Sequence, residues 1–391
     1  VISDDQEVFM NNQSIPVGRV FGIPLRIDYS WFLILALVTW TLATGYFPAE
    51  FKGWPAVEYW IVGVITAVVF FASVLLHELG HSVVAQRYKI SVNSITLLIF
   101  GGVSEIKSEP GSALSEFWIS ISGPIVSLAL AGIFAVLAIL FSGVEPLLAL
   151  SKYLAYINLL LGAFNLIPGF PLDGGGVLMS IVWGITHKRH LGIIVAATVG
   201  SFFAYLFIAF GAYQVLGGNF LNGLWTVFIG WFLLNASGGE VRREKIKSSL
   251  SGRKVSEAMS RGYTIIPADT TLQYLVDEHI LGGSRRSFII QKDDSVVGLL
   301  TMHALQSVPR EKWVTTRVDQ VMIPTVQIKQ IGPDTEIWEA MEEMDRDGVN
   351  QLPVMLEGQI QGMLTREDVI SFIRSKAPVG RPPNGFNGGR P

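Results

Sequence analysis

Residues 58–86 read EYWIVGVITAVVFFASVLLHELGHSVVAQ, and two features of this stretch decide what the rest of the chain can be. From Tyr59 to Leu76 there is no charged residue, and a helix of this length crosses the ~30 Å of hydrocarbon in a bilayer. The stretch then closes on His77-Glu78-Leu79-Gly80-His81. Four residues make about one helical turn, so both imidazoles leave the helix on one face, at a spacing suited to two ligands of a tetrahedral zinc. Glu78 projects to the neighbouring side, where a carboxylate can take a proton from water. Two histidines and a glutamate are expensive to bury in hydrocarbon, and residues kept there are functional by default. The competing reading, a chance match or satisfied core histidines, gives no reason for that setting.

A complete shell needs another ligand. The chain has six histidines and no cysteine, which excludes thiolate ligands and disulfides. His187 and His190 flank Lys188-Arg189, and His279 and His303 lie in the polar C-terminal part, so none sits in an apolar span. A carboxylate is the better source. The candidate is Asp173 in Asn165-Leu-Ile-Pro168-Gly-Phe-Pro171-Leu-Asp173-Gly174-Gly175, a lone acid among apolar residues. The alternative is that Asp173 only caps the helix that follows.

The surrounding sequence is that of a polytopic membrane protein. Of 391 residues, 50% are apolar and 16% charged, against about 25% charged in soluble proteins. Apolar runs at 29–47, 58–86, 114–142, 148–166, 191–216 and 222–237 predict about six transmembrane helices. The run after Arg19 and Arg26 is too long for a signal-peptide core, so no cleavable leader is expected. Two stretches do not read as simple spans: the β-rich 90–106, ending near Gly101-Gly102, and 167–186, which opens with Pro and Gly. Irregular backbone at membrane depth survives only where protein or a water-filled cavity satisfies it, so both are expected to line a cavity, the first as a small membrane-associated β element. Assigning alternate loops to one side collects Arg19, Arg26, Arg87, Lys89, Lys107, Lys188, Arg189, Arg242, Arg243, Lys245 and Lys247 there and leaves Lys52 and Lys152 on the other. The rich side is expected to be cytoplasmic, with an even number of spans and both termini inside. The net charge of -3 says nothing about nucleic acid, but the chain lacks the basic clusters interleaved with aromatics that such a partner needs, so none is expected.

After a polar break around Ser237-Gly238-Gly239, read as a link, the composition becomes that of a soluble α/β domain with an internal repeat. Val255-Ser-Glu-Ala-Met259 recurs as Val318-Asp-Gln-Val-Met322, Asp269-Thr-Thr-Leu272 as Asp334-Thr-Glu-Ile337, and Val297-Gly-Leu-Leu-Thr301 as Gln361-Gly-Met-Leu-Thr365. The expected domains are 1–240 in the membrane, repeats at 253–312 and 313–376, and a Gly- and Pro-rich tail at 377–391 that is expected to be disordered.

Two resemblances follow. The repeats are similar to paired cystathionine-β-synthase-type (CBS) domains, which commonly bind adenine nucleotides. In such folds the segment running from Gly through Thr to Asp faces ribose and phosphate. Gly362-Met-Leu-Thr365-Arg-Glu-Asp368 matches it, whereas Gly298-Leu-Leu-Thr301-Met-His-Ala304 lacks the acid. Thr365 and Asp368 are therefore the expected site for ATP, ADP or AMP. The alternative is that Asp368 caps the next helix and the pair only builds a homodimer. The histidine motif, the Asn165–Gly174 motif, Ser122-Gly123-Pro124 and Gly22-Ile23-Pro24 together resemble the site-2 protease family of intramembrane metalloproteases, over roughly residues 15–240. That resemblance implies one zinc per chain on His77, His81 and Asp173, Glu78 as catalytic base, and Asn165 assisting the substrate carbonyl or oxyanion. It also implies a transmembrane protein as substrate and a multi-pass location in the cell inner membrane or an equivalent organelle membrane. The rival reading is a CBS-gated metal transporter or channel, which has no need of a general base beside a ligand.

Overall fold

A computed structural model describes residues 14–376 apart from 100, 107–108, 281–286, 294, 347–348 and 358. The expectation for the tail at 377–391 lies outside these residues. The chain divides into two compact units between Glu244 and Lys245.

The first unit opens with strands β1 (Ser14–Val20) and β2 (Ile23–Asp28). Asp28 then accepts a hydrogen bond from Ser30 N (2.9 Å) and caps α1 (Tyr29–Thr41), which runs through a π-helical turn into α2 (Phe47–Glu50). The decisive helix is α3 (Ala56–Arg87). Strands β3 (Val92–Leu98) and β4 (Gly101–Ile106) follow, then α4 (Ala113–Leu140), α5 (Glu145–Asn165), α6 (Asp173–Thr186), α7 (Arg189–Leu216) and α8 (Phe220–Leu250). Among the described residues six helical segments are long and apolar enough to cross a membrane: Tyr29–Glu50, Ala56–Arg87, Ala113–Leu140, Glu145–Asn165, Arg189–Leu216 and Phe220–Leu250. Their outward faces carry Phe202, Tyr205, Leu216, Leu221 and Trp225, all more than half exposed. Such a belt is a liability in water and is the normal lipid-facing surface of a bilayer protein.

The two irregular stretches fold as a pair of strands and as a turn leading into a short helix. Residues 90–106 supply β3 and β4 of a four-stranded sheet, ordered β1-β2-β3-β4, antiparallel except for the parallel β2–β3 pair. Ile23, Ile95 and Leu79 of α3, all buried, pin the sheet to the metal-motif helix. The second stretch makes a tight turn from Leu166 to Leu172, docked on α7 by Phe170 N donating to Ala196 O (3.2 Å), and then α6. One reading changes. Ser237-Gly238-Gly239 is no break: α8 runs through it, because Ser237 is fully buried and its hydroxyl donates to Ala197 O of α7 at 2.7 Å.

The second unit contains α9 (Val255–Ala258), β5 (Ile265–Pro267), α10 (Leu272–Leu275), β6 (Ser287–Lys292), β7 (Ser295–Thr301), α11 (Met302–Gln306), β8 (Ile323–Pro324), α12 (Ile337–Arg346), β9 (Gln351–Leu356), β10 (Gln359–Thr365) and α13 (Arg366–Lys376). Each repeat is a hairpin flanked by helices, and each lends the other an edge. From the second repeat, β8 pairs with β7 of the first, while Ser260 of the first pairs with Met363 of the second. Separate cores form around Leu272, Phe288, Leu300 and Val318 and around Ile337, Leu352, Val354 and Leu364. Burying each such side chain contributes about 1.5–3 kcal/mol. A third cluster, Ile289, Leu299 and Met363, joins the two hairpins.

Candidate metal centre

In the last three turns of α3, His77 and His81 are 4% and 8% exposed and face α4. Their Nε2 atoms lie 3.3 Å apart. Asp173, the first residue of α6, brings Oδ2 to 3.1 Å from Nε2 of His77 and 3.4 Å from Nε2 of His81. Among the described residues these three form the group whose ligand atoms converge closely enough to hold a metal ion. The capping alternative for Asp173 does not describe the geometry, since Leu172 occupies the cap position and the carboxylate reaches the imidazoles.

The outer nitrogens are also engaged. Nδ1 of His81 lies 2.7 Å from the carbonyl oxygen of Ile119 on α4. It must donate there, which leaves Nε2 of the neutral ring as a lone pair. Nδ1 of His77 lies 2.8 Å from Ser127 Oγ, also on α4. Room for both rings comes from Gly123 of α4: a Cβ there would stand 2.1 Å from His81 Nε2 and 2.7 Å from His77 Nε2. This residue set fits zinc on two counts. Ligand atoms around a tetrahedral zinc with bonds of ~2.0–2.1 Å are about 3.3 Å apart, and two imidazoles with fixed outer nitrogens plus one carboxylate are the ligand chemistry of such sites.

Glu78, one residue from His77, points instead to the sheet. Its Oε2 accepts from Ser104 Oγ of β4 at 2.9 Å. Asn165 closes α5, half-buried, and its amide makes no hydrogen bond among the described residues. His187 caps the far end of α6 in a left-handed conformation, and neither it, His190 nor His279 joins the cluster. Ser104, Ser127, Gly123 and the Ile119 carbonyl are the parts of the site that motif reading did not reach. Ile119, Gly123 and Ser127 stand at i+4 spacing along α4, but so short a pattern does not identify a partner.

In the second unit, Thr365 and Asp368 hold each other. Asp368 Oδ2 accepts from Thr365 Oγ1 (2.6 Å) and Thr365 N (3.0 Å), and Asp368 N donates to Thr365 Oγ1 (3.1 Å). Among the described residues of the first repeat only one of these bonds has an equivalent, Ala304 N to Thr301 Oγ1 at 3.2 Å.

Comparison with known proteins bears on the family of the chain. The model of "Peptidase family M50" matches residues 65–152 and 144–210, and that of the CBS domain matches 318–375. The chain is 37% identical over 375 residues to sll0528 of Synechocystis sp., covering 94% of this chain and 97% of that protein. It is 34% identical over 368 residues to Rip3 of Mycobacterium tuberculosis, covering 92% and 93%. With the zinc metalloprotease MJ0392 of Methanocaldococcus jannaschii it shares 25% identity over 363 residues, covering 92% and 96%. A solved site-2 protease structure from Methanocaldococcus jannaschii is 28% identical, covers 59% of this chain and 95% of that one, and superposes with a TM-score of 0.41.

Proposed function

The chain belongs to peptidase family M50, and on that footing we propose that it cleaves transmembrane proteins within the bilayer, using His77, His81 and Asp173 to hold zinc and Glu78 as general base. It is a site-2-type zinc metalloprotease and a multi-pass membrane protein carrying a CBS domain. The observation that carries the residue assignment is the convergence of Nε2, Nε2 and Oδ2 at 3.1–3.4 Å.

When bound, zinc supplies a Lewis acid that polarises a carbonyl and brings the pKa of a water toward ~7. The remaining steps belong to the chain. His77 and His81 present fixed lone pairs because their Nδ1 atoms are tied to Ser127 and Ile119. Glu78 takes the proton of the attacking water and returns it to the leaving amine. The unengaged amide of Asn165 donates to the scissile carbonyl as charge develops on its oxygen.

A helical substrate hides its carbonyls and must unwind. β4 is an edge of the sheet and lies against Glu78, which supports pairing of the unwound segment with that edge. Arg87 follows His81 by six residues, about 9 Å of helix, so water reaches the site from the nearby basic side, which we assign to the cytoplasm together with both termini. Catalysis is assigned to 1–240 and regulation to the repeats 253–312 and 313–376. Adenine nucleotide at Thr365 and Asp368 is proposed to modulate cleavage by binding one conformation better than another.

The test of the catalytic reading is E78Q in reconstituted protein. The amide keeps the size of the carboxylate and cannot take the proton, so zinc content stays at about one per chain while cleavage is lost. Turnover within tenfold of wild type removes Glu78 as the base.

A further inference from the structure

The general-base side chain is gripped from outside its own helix. Ser104 Oγ on β4 donates to Glu78 Oε2 (2.9 Å) and lies 3.5 Å from the Glu78 backbone oxygen. Behind it, Ser82 Oγ, fully buried one turn further along α3, donates to Ser104 Oγ (3.2 Å). On the same strand Gly102 presses on the stem of the glutamate: a Cβ there would stand 2.4 Å from Glu78 Cγ and 3.1 Å from Cδ. A side chain at 102 and the present position of Glu78 therefore exclude one another.

These contacts divide the carboxylate into two unequal oxygens. Oε2 is committed to Ser104, and Oε1 has no hydrogen bond among the described residues. A glutamate side chain has three rotatable bonds and, left to itself, would sample many orientations at a cost in rate, because proton transfer needs the acceptor within ~2.6–3.2 Å of the proton's heavy atom. A hydroxyl fixed to one oxygen and a backbone packed on the stem remove most of that freedom before substrate arrives. In a site shielded from bulk water, a charge-assisted hydrogen bond of this kind is about twice as strong as a neutral one. Ser82 makes the grip directional by occupying the acceptor side of the Ser104 hydroxyl, so that the Ser104 proton faces the carboxylate.

We propose that Ser104 is a positioning residue for catalysis, holding Oε2 of Glu78 so that Oε1 is the oxygen presented for proton transfer, with Ser82 and Gly102 completing the grip. The proposal rests on the reading of Glu78 as general base. It also gives β4 a second role: the strand offered to the unwound substrate is the strand that orients the base, so substrate docking and base alignment share one element.

The experiment uses the full chain reconstituted in liposomes with a single-span reporter whose membrane segment is interrupted by an Asn-Pro pair. Rates are measured against substrate density, and zinc is counted per chain. S104A is expected to lower kcat about 10–100-fold, the usual size of a lost outer-shell contact, with KM and zinc content unchanged. S104T, which keeps the hydroxyl, is expected to recover most of the loss. S82A should reduce kcat less than S104A, and G102A, which displaces the glutamate from its other side, should reduce kcat with zinc retained. Wild-type kcat in S104A while E78Q is inactive overturns the positioning role and leaves the base assignment standing. Activity in E78Q overturns the base assignment and this proposal with it. A fall confined to KM, or a loss of zinc that parallels the loss of rate, also overturns the proposal by assigning Ser104 to substrate binding or to the integrity of the metal site.

Discussion

Glu78 in the membrane unit and Asp368 in the second CBS repeat are both carboxylates held by a hydroxyl, but the hydroxyls come from different distances. Asp368 is held by Thr365, three residues away at the start of the same helix. Glu78 is held by Ser104, 26 residues away on a strand. The local pair closes on itself: each residue satisfies the other's backbone, and the result starts a helix. The remote pair satisfies no backbone group of the strand that provides it. It fixes where one side chain points. In these two pairs the near hydroxyl secures the start of an element and the remote one sets the direction of a side chain.

The sharpest way to break this contrast is to remove each carboxylate in turn. E78Q should reduce cleavage by about 10²–10⁴-fold, the range for loss of a general base, and leave the unfolding temperature within a degree or two. A large fall in stability would give Glu78 a structural part like the one that Asp368 has in capping α13. Next in size is Asp173→Ala, which should weaken zinc binding by more than the ~10–100-fold expected for outer-shell losses, read by competition with a chromogenic chelator. Unchanged affinity would remove Asp173 from the shell. Ser127→Ala probes a remote hydroxyl on the metal side and should fall within that 10–100-fold range in zinc affinity, sharpening the comparison with the Ser104 variant, where affinity stays constant. On the local side, Thr365→Ala should cost about 0.5–2 kcal/mol of stability through the lost cap, seen by thermal unfolding with cleavage in the absence of nucleotide unchanged. The smallest expected effect is Ala304→Asp, which gives the first repeat the acid it lacks. An acid in the first turn of α11 should add about 0.3–1 kcal/mol. A loss instead would mean that the packing of Ala304 against the first-repeat core outweighs the cap.

The parts of the site that could be read from sequence share a physical reason. His77, Glu78, His81 and Asp173 stand out because ionisable groups in apolar runs are costly and so rarely accidental. Ser104 and Ser127 do not stand out, since a serine costs little in any setting and its partner depends on where α4 and the sheet cross α3. The six spans were legible from length and hydropathy. The continuity of α8 was not: Gly238 and Gly239 are each worth about 1 kcal/mol against a helix, and what keeps the helix intact is the contact of Ser237 with Ala197 on α7. The CBS repeat was legible as a recurrence, but not the exchange of edges. The recurring Val-x-x-x-Met segments look as if each belongs to its own repeat, and the pairing of Ser260 with Met363 and of β8 with β7 is a property of the assembled pair.

That exchange of edges has a consequence for biosynthesis. Ser260 leaves the ribosome long before Met363, and at ~5–20 residues per second the interval is roughly 5–20 s. During that time the first repeat has its hairpin but must wait for residues 323–324 to cover β7, while its own contribution to β10 has no strand to join. Exposed strand edges are templates for pairing with other chains. The nascent chain therefore passes through a window in which the membrane helices are already being inserted and the C-terminal half is still open to neighbours, and truncation at the junction of the repeats would leave that window permanently open.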